Sequence, residues 1–556
     1  MKLRNRLSNG VEYRDRSQIK PYQIDTTRCK QIPKDLVNVL ADPTKHPQVQ
    51  PGRGKIYLGD GAKNPQDTTR YPIYLPSEVL SSHVLIAGAI GSGKTSFLLR
   101  LLAGAIKTYG SVVISEAKAG KNGGAEGAAF TDIARYLQLK MPDLKVYRWV
   151  RGNCWFNPLL YLKTAQDRRA FLDAICDRLI KDSGISGDMT MFVYNAAAIT
   201  ELIIAYLYEF STEETRAKVC TLRNVVKHLH KPLELHQELK QRREHLLNQA
   251  KAAESAAIRE ELIQKAKRLQ DIGLQLEMQN LFRLHKDEFA GSRHGVRAMI
   301  KLFDHEDLLR YSEPDGDLPQ LQLDDILYNR ALVIVSQPLY DPASKIIGSL
   351  FWDSLLAHII ELGPNPEAKA GKPRQKVLAV LDETHRLPVG RLGESGDFLR
   401  EYDLGLVEIT PTIVDEERWQ QNQHVYQTLI SLSPGVPAVV ELMQSRLPNF
   451  FLKPGYLNPT TNGDGQHRNT LVLNPNYQYS LSQDNPGAST RSLAMTGRFT
   501  GLLQSVALDG IGKVFWLDLE DELLANIKQL LKDAIAPDCP MDIREAVDRA
   551  LGFVID

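Results

Sequence analysis

Val84-Leu-Ile-Ala-Gly-Ala-Ile-Gly-Ser-Gly-Lys-Thr-Ser-Phe-Leu-Leu-Arg100 is the stretch around which the rest of the chain is read. Val84 to Ala87 is a short apolar run, the mark of a buried strand. Gly88 to Thr95 follows as Gly-x4-Gly-Lys-Thr, the P-loop pattern, and Ser96 to Ile106 reads as a helix. Strand, glycine loop and helix in that order make a phosphate cradle. The glycines let the backbone curl so that successive N–H groups face inward. The helix N-terminus behind them carries about +0.5 charge. The run Gly88, Ala89, Ile90, Gly91, Ser92, Gly93, Lys94, Thr95, Ser96 is therefore expected to hold the phosphates of ATP. Lys94 would reach the β- and γ-phosphates, and the Thr95 hydroxyl would hold Mg2+. The bare pattern arises by chance in about one chain in fifty of this size. The flanking strand and helix make chance rarer still.

Length and composition set the bounds. At 556 residues the chain can bury a large core and is expected to fold as two or three domains. Net charge is +1, so nothing global advertises nucleic acid. Residues 1–55 are uneven, with 12 Lys/Arg against 5 Asp/Glu. Such a basic arm could touch phosphate or a partner, or stay a solvated tail. Cys29, Cys154, Cys176, Cys220 and Cys539 lie far apart without a C-x-x-C pair, which indicates neither a zinc site nor a disulfide scaffold. No signal peptide and no run near 18 apolar residues is evident, so no transmembrane helix is expected. A cytoplasmic location follows, with any contact to the inner membrane made through partners.

Working outward, Lys55-Ile-Tyr-Leu-Gly59 and Tyr71-Pro-Ile-Tyr-Leu-Pro76 look like short strands before the P-loop strand. Ser111 to Lys118 reads as the next parallel strand. Ligands sit beyond the carboxyl ends of strands in open α/β sheets, so Glu116 and Lys118 are expected near the nucleotide or a subunit contact. Val146 to Trp149 is another short strand. Residues 165–310 then turn helical: Met191 to Phe210 is one long helix, and Leu233 to Ile272, free of Pro and Gly, reads as one long helix or a helical hairpin. The sheet pattern returns at Ala331 to Gln337, and a helix follows over Lys345 to Leu362.

Lys376-Val-Leu-Ala-Val-Leu-Asp-Glu383 is an apolar strand ending in two carboxylates, the Walker B form. Asp382 would serve Mg2+, and Glu383 would orient or deprotonate the attacking water. Gly405 to Thr410 is the next strand, with Thr410 at its tip as a candidate γ-phosphate sensor. Residues 451–515 are rich in Asn, Pro, Gly, Ser and Gln. A strand at Lys513 to Leu517 and helices at Glu520 to Ala534 and Met541 to Leu551 close the chain.

His83-Val-Leu-Ile-Ala-Gly-Ala-Ile-Gly-Ser-Gly-Lys-Thr95, Val112-Val-Ile-Ser-Glu-Ala-Lys118, Asn157-Pro-Leu159, Leu332-Val-Ile-Val335 and Leu381-Asp-Glu-Thr-His-Arg-Leu-Pro388 together resemble the HerA/FtsK-type ATPases. The resemblance is strongest to type IV secretion and conjugation coupling proteins of the TraD/TraG kind, and it covers roughly residues 55–450. It implies an α/β fold with a RecA-like P-loop core, a large all-α insertion and a mixed C-terminal extension. The corresponding boundaries are a basic arm over 1–54, core halves over 55–162 and 326–450, the insertion over 163–325 and the extension over 451–556.

It also implies a homo-oligomeric, hexameric ring that spends ATP to move DNA or a nucleoprotein substrate, with a membrane secretion channel as partner. A catalytic arginine from a neighbouring subunit belongs to such rings. Arg386, Arg391 and Arg400 all fit by position, and Arg400 is taken as the candidate. Two features depart from the family. Coupling proteins usually carry N-terminal transmembrane helices, and the family strand after Walker B normally ends in Gln, whereas Ile409-Thr-Pro-Thr412 stands here. A soluble secretion-assembly ATPase acting on proteins, and a nucleotide-gated scaffold that hydrolyses poorly, are the alternatives.

Overall fold

Parallel strands cannot be joined by tight turns, so helical crossovers build this fold. The computed structural model describes residues 41–45, 52–63, 67–117, 128–183, 187–286, 289–314, 316–337, 344–364, 371–383, 392, 399–413, 419–420, 423–432, 436–446, 500–505, 515–519 and 522–553. Among them one sheet has eleven strands: β1 (Lys55–Ala62), β2 (Tyr71–Pro76), β3 (Val84–Ala87), β4 (Gly110–Glu116), β5 (Lys145–Trp149), β6 (Ala331–Ser336), β7 (Lys376–Asp382), β8 (Leu404–Thr410), β9 (Thr428–Leu432), β10 (Thr500–Ser505) and β11 (Phe515–Asp518). Their spatial order is β2-β1-β11-β10-β9-β3-β8-β7-β4-β6-β5. From β9 to β5 every neighbouring pair is parallel. From β2 to β9 every pair is antiparallel. The protein is thus α/β, with a parallel half that carries the crossovers and an antiparallel half that ends it.

Both faces of the parallel half are covered, which is why β3, β4 and β8 are buried along their whole length. One face packs α1 (Lys94–Thr108) and α2 (Ala128–Lys140) on Val84, Ile86, Val112, Ile114, Leu378, Val380, Val407 and Ile409. The other face, with Val113, Val333, Val377, Ala379, Leu404 and Leu406, receives the helical region. That region leaves the sheet after β5 and returns at β6, its direct neighbour. It holds α3 (Ala165–Ser183), α4 (Asp188–Glu209), α5 (Glu213–Val219), α6 (Leu222–His230), α7 (Pro232–Ala252), α8 (Ala256–Met278), α9 (Ala290–Phe303), α10 (Glu306–Tyr311) and α11 (Leu323–Tyr328). The α7–α8 pair is a helical hairpin, broken at residues 253–255. Thr190–Glu209, within α4, is long and apolar enough to cross a membrane, a feature a count of consecutive apolar residues misses; 67% of it is buried inside the protein. The Cys154, Cys176 and Cys220 thiols are each pushed up to about 12 by burial, so they stay protonated and unreactive.

After β6 come α12 (Ser344–Leu362), then α13 (Pro437–Ser445) behind β9. The described residues from 500 onward build into the core itself. β10 and β11 sit between β9 and β1, and α14 (Glu522–Ala525), α15 (Ile527–Ala534) and α16 (Met541–Leu551) join the core on the α1 face. A single break at Asn526 separates α14 from α15. Arg100 ties this arrangement to the helix of the glycine loop. It lies on α1, 1% exposed. Its Nε donates to the Ala550 carbonyl at 2.7 Å, its Nη1 donates to the Leu58 carbonyl at 3.3 Å, and its guanidinium lies over the Tyr57 ring at 4.9 Å. Arg100→Met keeps most of the volume but abandons both carbonyls. It should cost about 2–3 kcal/mol, read as a fall in the urea unfolding midpoint; an unchanged midpoint would mean that the tie is idle.

Candidate active site

The glycine loop leaves β3 at Ala87 and enters α1 at Lys94. Gly91 and Gly93 have φ of 84° and 87°, the left-handed region where a Cβ is strained. A Cβ on Gly88 would meet Ser92 Oγ at 2.6 Å and the Leu432 carbonyl oxygen at 2.8 Å. All three glycines are therefore demanded by the backbone path. Ser92 is buried, and among the described residues its Oγ has no hydrogen-bond partner. Lys94 folds back over the loop: Nζ donates to the Gly88 carbonyl at 2.6 Å and to the Ala89 carbonyl at 2.8 Å. Thr95 and Ser96 are half-buried in the first turn of α1, and Ile90 stands 90% exposed at the loop tip.

β8 lies between the glycine-loop strand and the strand with two terminal carboxylates. Ala87 on β3 pairs with Thr410 on β8, and Asp382 on β7 pairs with Ile409. The Gly88 N–H donates to the Thr410 carbonyl at 3.3 Å. Lys94, Thr95, Thr410, Asp382 and Glu383 thus gather at one edge, the carboxyl ends of three adjacent parallel strands. Alternation puts Asp382 on the same face as Leu378 and Val380, the face that α1 covers. Asp382 is 3% exposed and Glu383 is half-buried. Glu383 has φ of 61°, so the chain turns sharply right after Asp382. A non-glycine residue held there costs on the order of 1–3 kcal/mol, the kind of strain found at functional sites. The Thr410 hydroxyl donates to the Thr412 carbonyl and accepts from the Thr412 N–H at 3.3 Å, so it is closed into its own turn.

Of the remaining sequence candidates, Glu116 ends β4, the strand next to β7, at the same edge and without exposed surface. Arg148 on β5 donates from Nη2 to Glu116 Oε2 at 3.2 Å, from Nε to Ser336 Oγ at 3.0 Å and from Nη1 to Thr131 Oγ1 at 2.6 Å. Sequence reading missed Arg148, Ser336 and Thr131. The available signal was a lone arginine inside an otherwise apolar and aromatic strand. Arg400 sits in the 3-10 turn Arg400–Tyr402 before β8, exposed, at the opposite end of that strand from the glycine loop. β8 spans about 20 Å, so Arg400 does not join the gathered residues of its own chain. Lys118, Arg386 and Arg391 lie outside the described residues.

No family model matches the sequence, and no curated protein does. Among solved structures, the plasmid coupling protein TrwB in complex with ADP and Mg2+ is similar, with 12% identity and a TM-score of 0.49 over 87% of this chain and 93% of that one. TrwB with a non-hydrolysable ATP analogue gives 13% identity and 0.47 over 81% and 87%. VirB4 of Thermoanaerobacter pseudethanolicus gives 12% and 0.42 over 85% and 97%.

The turn at Glu383 makes a direct prediction. At an ordinary position alanine is the more stable replacement, by about 0.5–1 kcal/mol over glycine. Here the order should invert, with Glu383→Gly more stable than Glu383→Ala by about 1 kcal/mol. Urea midpoints of the two variants decide it.

Proposed function

We propose that this chain is an ATP-driven motor: a P-loop ATPase of the HerA/FtsK type, working as a homo-oligomeric ring, that moves DNA or a nucleoprotein substrate in conjugation or type IV secretion. One observation carries the hydrolytic part. The paired register of β3, β8 and β7 sets the Gly88–Ser96 loop and the Asp382-Glu383 pair at one edge of the sheet. The motor and its substrate come from the sequence resemblance, including the departures noted there.

The loop N–H groups and the α1 N-terminus receive the phosphates. Lys94 exchanges two carbonyl acceptors for phosphate oxygens and offsets charge on the γ-phosphate. Thr95 and Asp382 offer oxygen donors only. That donor set fits Mg2+, which is bound by one or two carboxylates plus substrate phosphates. When bound, Mg2+ would neutralise charge developing on the phosphates. Glu383 accepts the proton of the attacking water; the new bond forms to the γ-phosphorus, and ADP leaves with the electron pair of the broken bond. The closed Thr410 hydroxyl favours a second reading, a nucleotide-gated scaffold with slow turnover, because γ-phosphate sensing by Thr410 would first have to open that turn.

The test is steady-state ATP hydrolysis with and without single- and double-stranded DNA, across a salt series. Glu383→Gln should lower turnover by about 10²–10⁴-fold. DNA should stimulate the intact enzyme, and that stimulation should fade as salt rises. Turnover indifferent to DNA would favour a protein substrate. Turnover no greater than that of Glu383→Gln would favour the scaffold.

A further inference from the structure

Glu116 is a carboxylate with no exposed surface, and a buried charge is costly unless it is paired. Its surroundings supply a partner and a neighbour. β4 and β7 pair in parallel with Ser115 opposite Leu381. One step further, at the ends of both strands, Glu116 stands beside Asp382. Neighbouring strands are about 4.8 Å apart. Both side chains lie on the α1 face: Glu116 alternates with Val112 and Ile114, and Asp382 with Leu378 and Val380. Two buried carboxylates therefore sit side by side, at the edge where the glycine loop ends.

From the other side Arg148 approaches Glu116. Its three contacts come from β4, β6 and α2, so the guanidinium is fixed and it holds Glu116 Oε2. Arg148 thus pairs with Glu116 on one side, and Asp382 stands on the other.

We propose that Glu116, anchored by Arg148, is a positioning residue for the cation at Asp382. It accepts hydrogen bonds from water bound to that cation and so sets the affinity of the site for Mg2+. This rests on the nucleotide-hydrolysing reading above. Partners one shell out from a metal orient its ligands, and their loss typically lowers metal affinity about 10–100-fold.

The experiment uses the full chain and a fluorescent, non-hydrolysable ATP analogue, titrated at a series of Mg2+ concentrations. Mn2+ binding to the nucleotide-loaded protein, read by electron paramagnetic resonance, is the independent readout. Wild type should bind the analogue more tightly as Mg2+ rises. In Glu116→Gln, an isostere that can still accept from Arg148, the Mg2+ concentration for half-effect should rise about tenfold. Affinity without Mg2+ should stay within about twofold, and Mn2+ should bind correspondingly more weakly. The inference is overturned if Glu116→Gln keeps the wild-type Mg2+ dependence while Asp382→Asn loses it. It is equally overturned if Glu116→Gln weakens binding alike with and without Mg2+, which would mark a structural role. A wild type that binds no analogue at any Mg2+ concentration sinks the nucleotide reading itself, a different and recognisable result.

Discussion

The parallel register of β3, β8, β7 and β4 is the constraint on which the rest depends. Parallel strands joined by crossovers all point the same way, so their carboxyl ends line up along one edge. Four strands that are buried over nearly all their length can then offer polar groups along a single line: the glycine loop, Thr410, Asp382-Glu383 and Glu116. Moving β7 by one residue against β8 would turn Asp382 to the other face of the sheet and away from α1. The apolar bodies of these strands, locked between two layers of helices, prevent that slip.

Positive-φ backbone and buried charge meet at this edge. Gly91, Gly93 and Glu383 all take positive φ there. Buried Asp382 and Glu116 lie there too, with the Arg148 guanidinium as counter-charge. Elsewhere the same kinds of group serve packing. Arg168, 1% exposed, pairs with Glu201 at 2.9 Å inside the helical region, and Arg100 spans α1, β1 and α16. Arg100 matters beyond stability. Two turns beyond Lys94, it binds the helix of the glycine loop to both ends of the described chain.

The strands that end the sheet explain why the C-terminal residues belong to the core. Without β10, β9 would form an open edge, a template for unwanted pairing. β10, β11, β1 and β2 extend the sheet antiparallel beyond it. Trp516 and Leu502 then pack with Leu85 and Ala87 from β3 in a small cluster under α13.

Local pattern alone determined a good deal. Gly88 to Thr95 demanded a strand before it and a helix after it, and the alternation of apolar runs with helical periods required a parallel sheet with a long helical interruption. Lys376 to Glu383 declared a buried strand with carboxylates at its tip, because only a strand that is covered on both faces reads as a continuous apolar run. Long-range pairing decided the remainder. No spacing reveals that β8 lies between β3 and β7, that β10 and β11 lie next to β9, or that Arg148 reaches Glu116 from 32 residues away. A hydrogen-bonded ladder couples residues by position in space, and a sequence records only position along the chain. Whether a buried charge has a partner, and whether Glu383 must bend backward to leave its strand, are properties of the packed sheet alone.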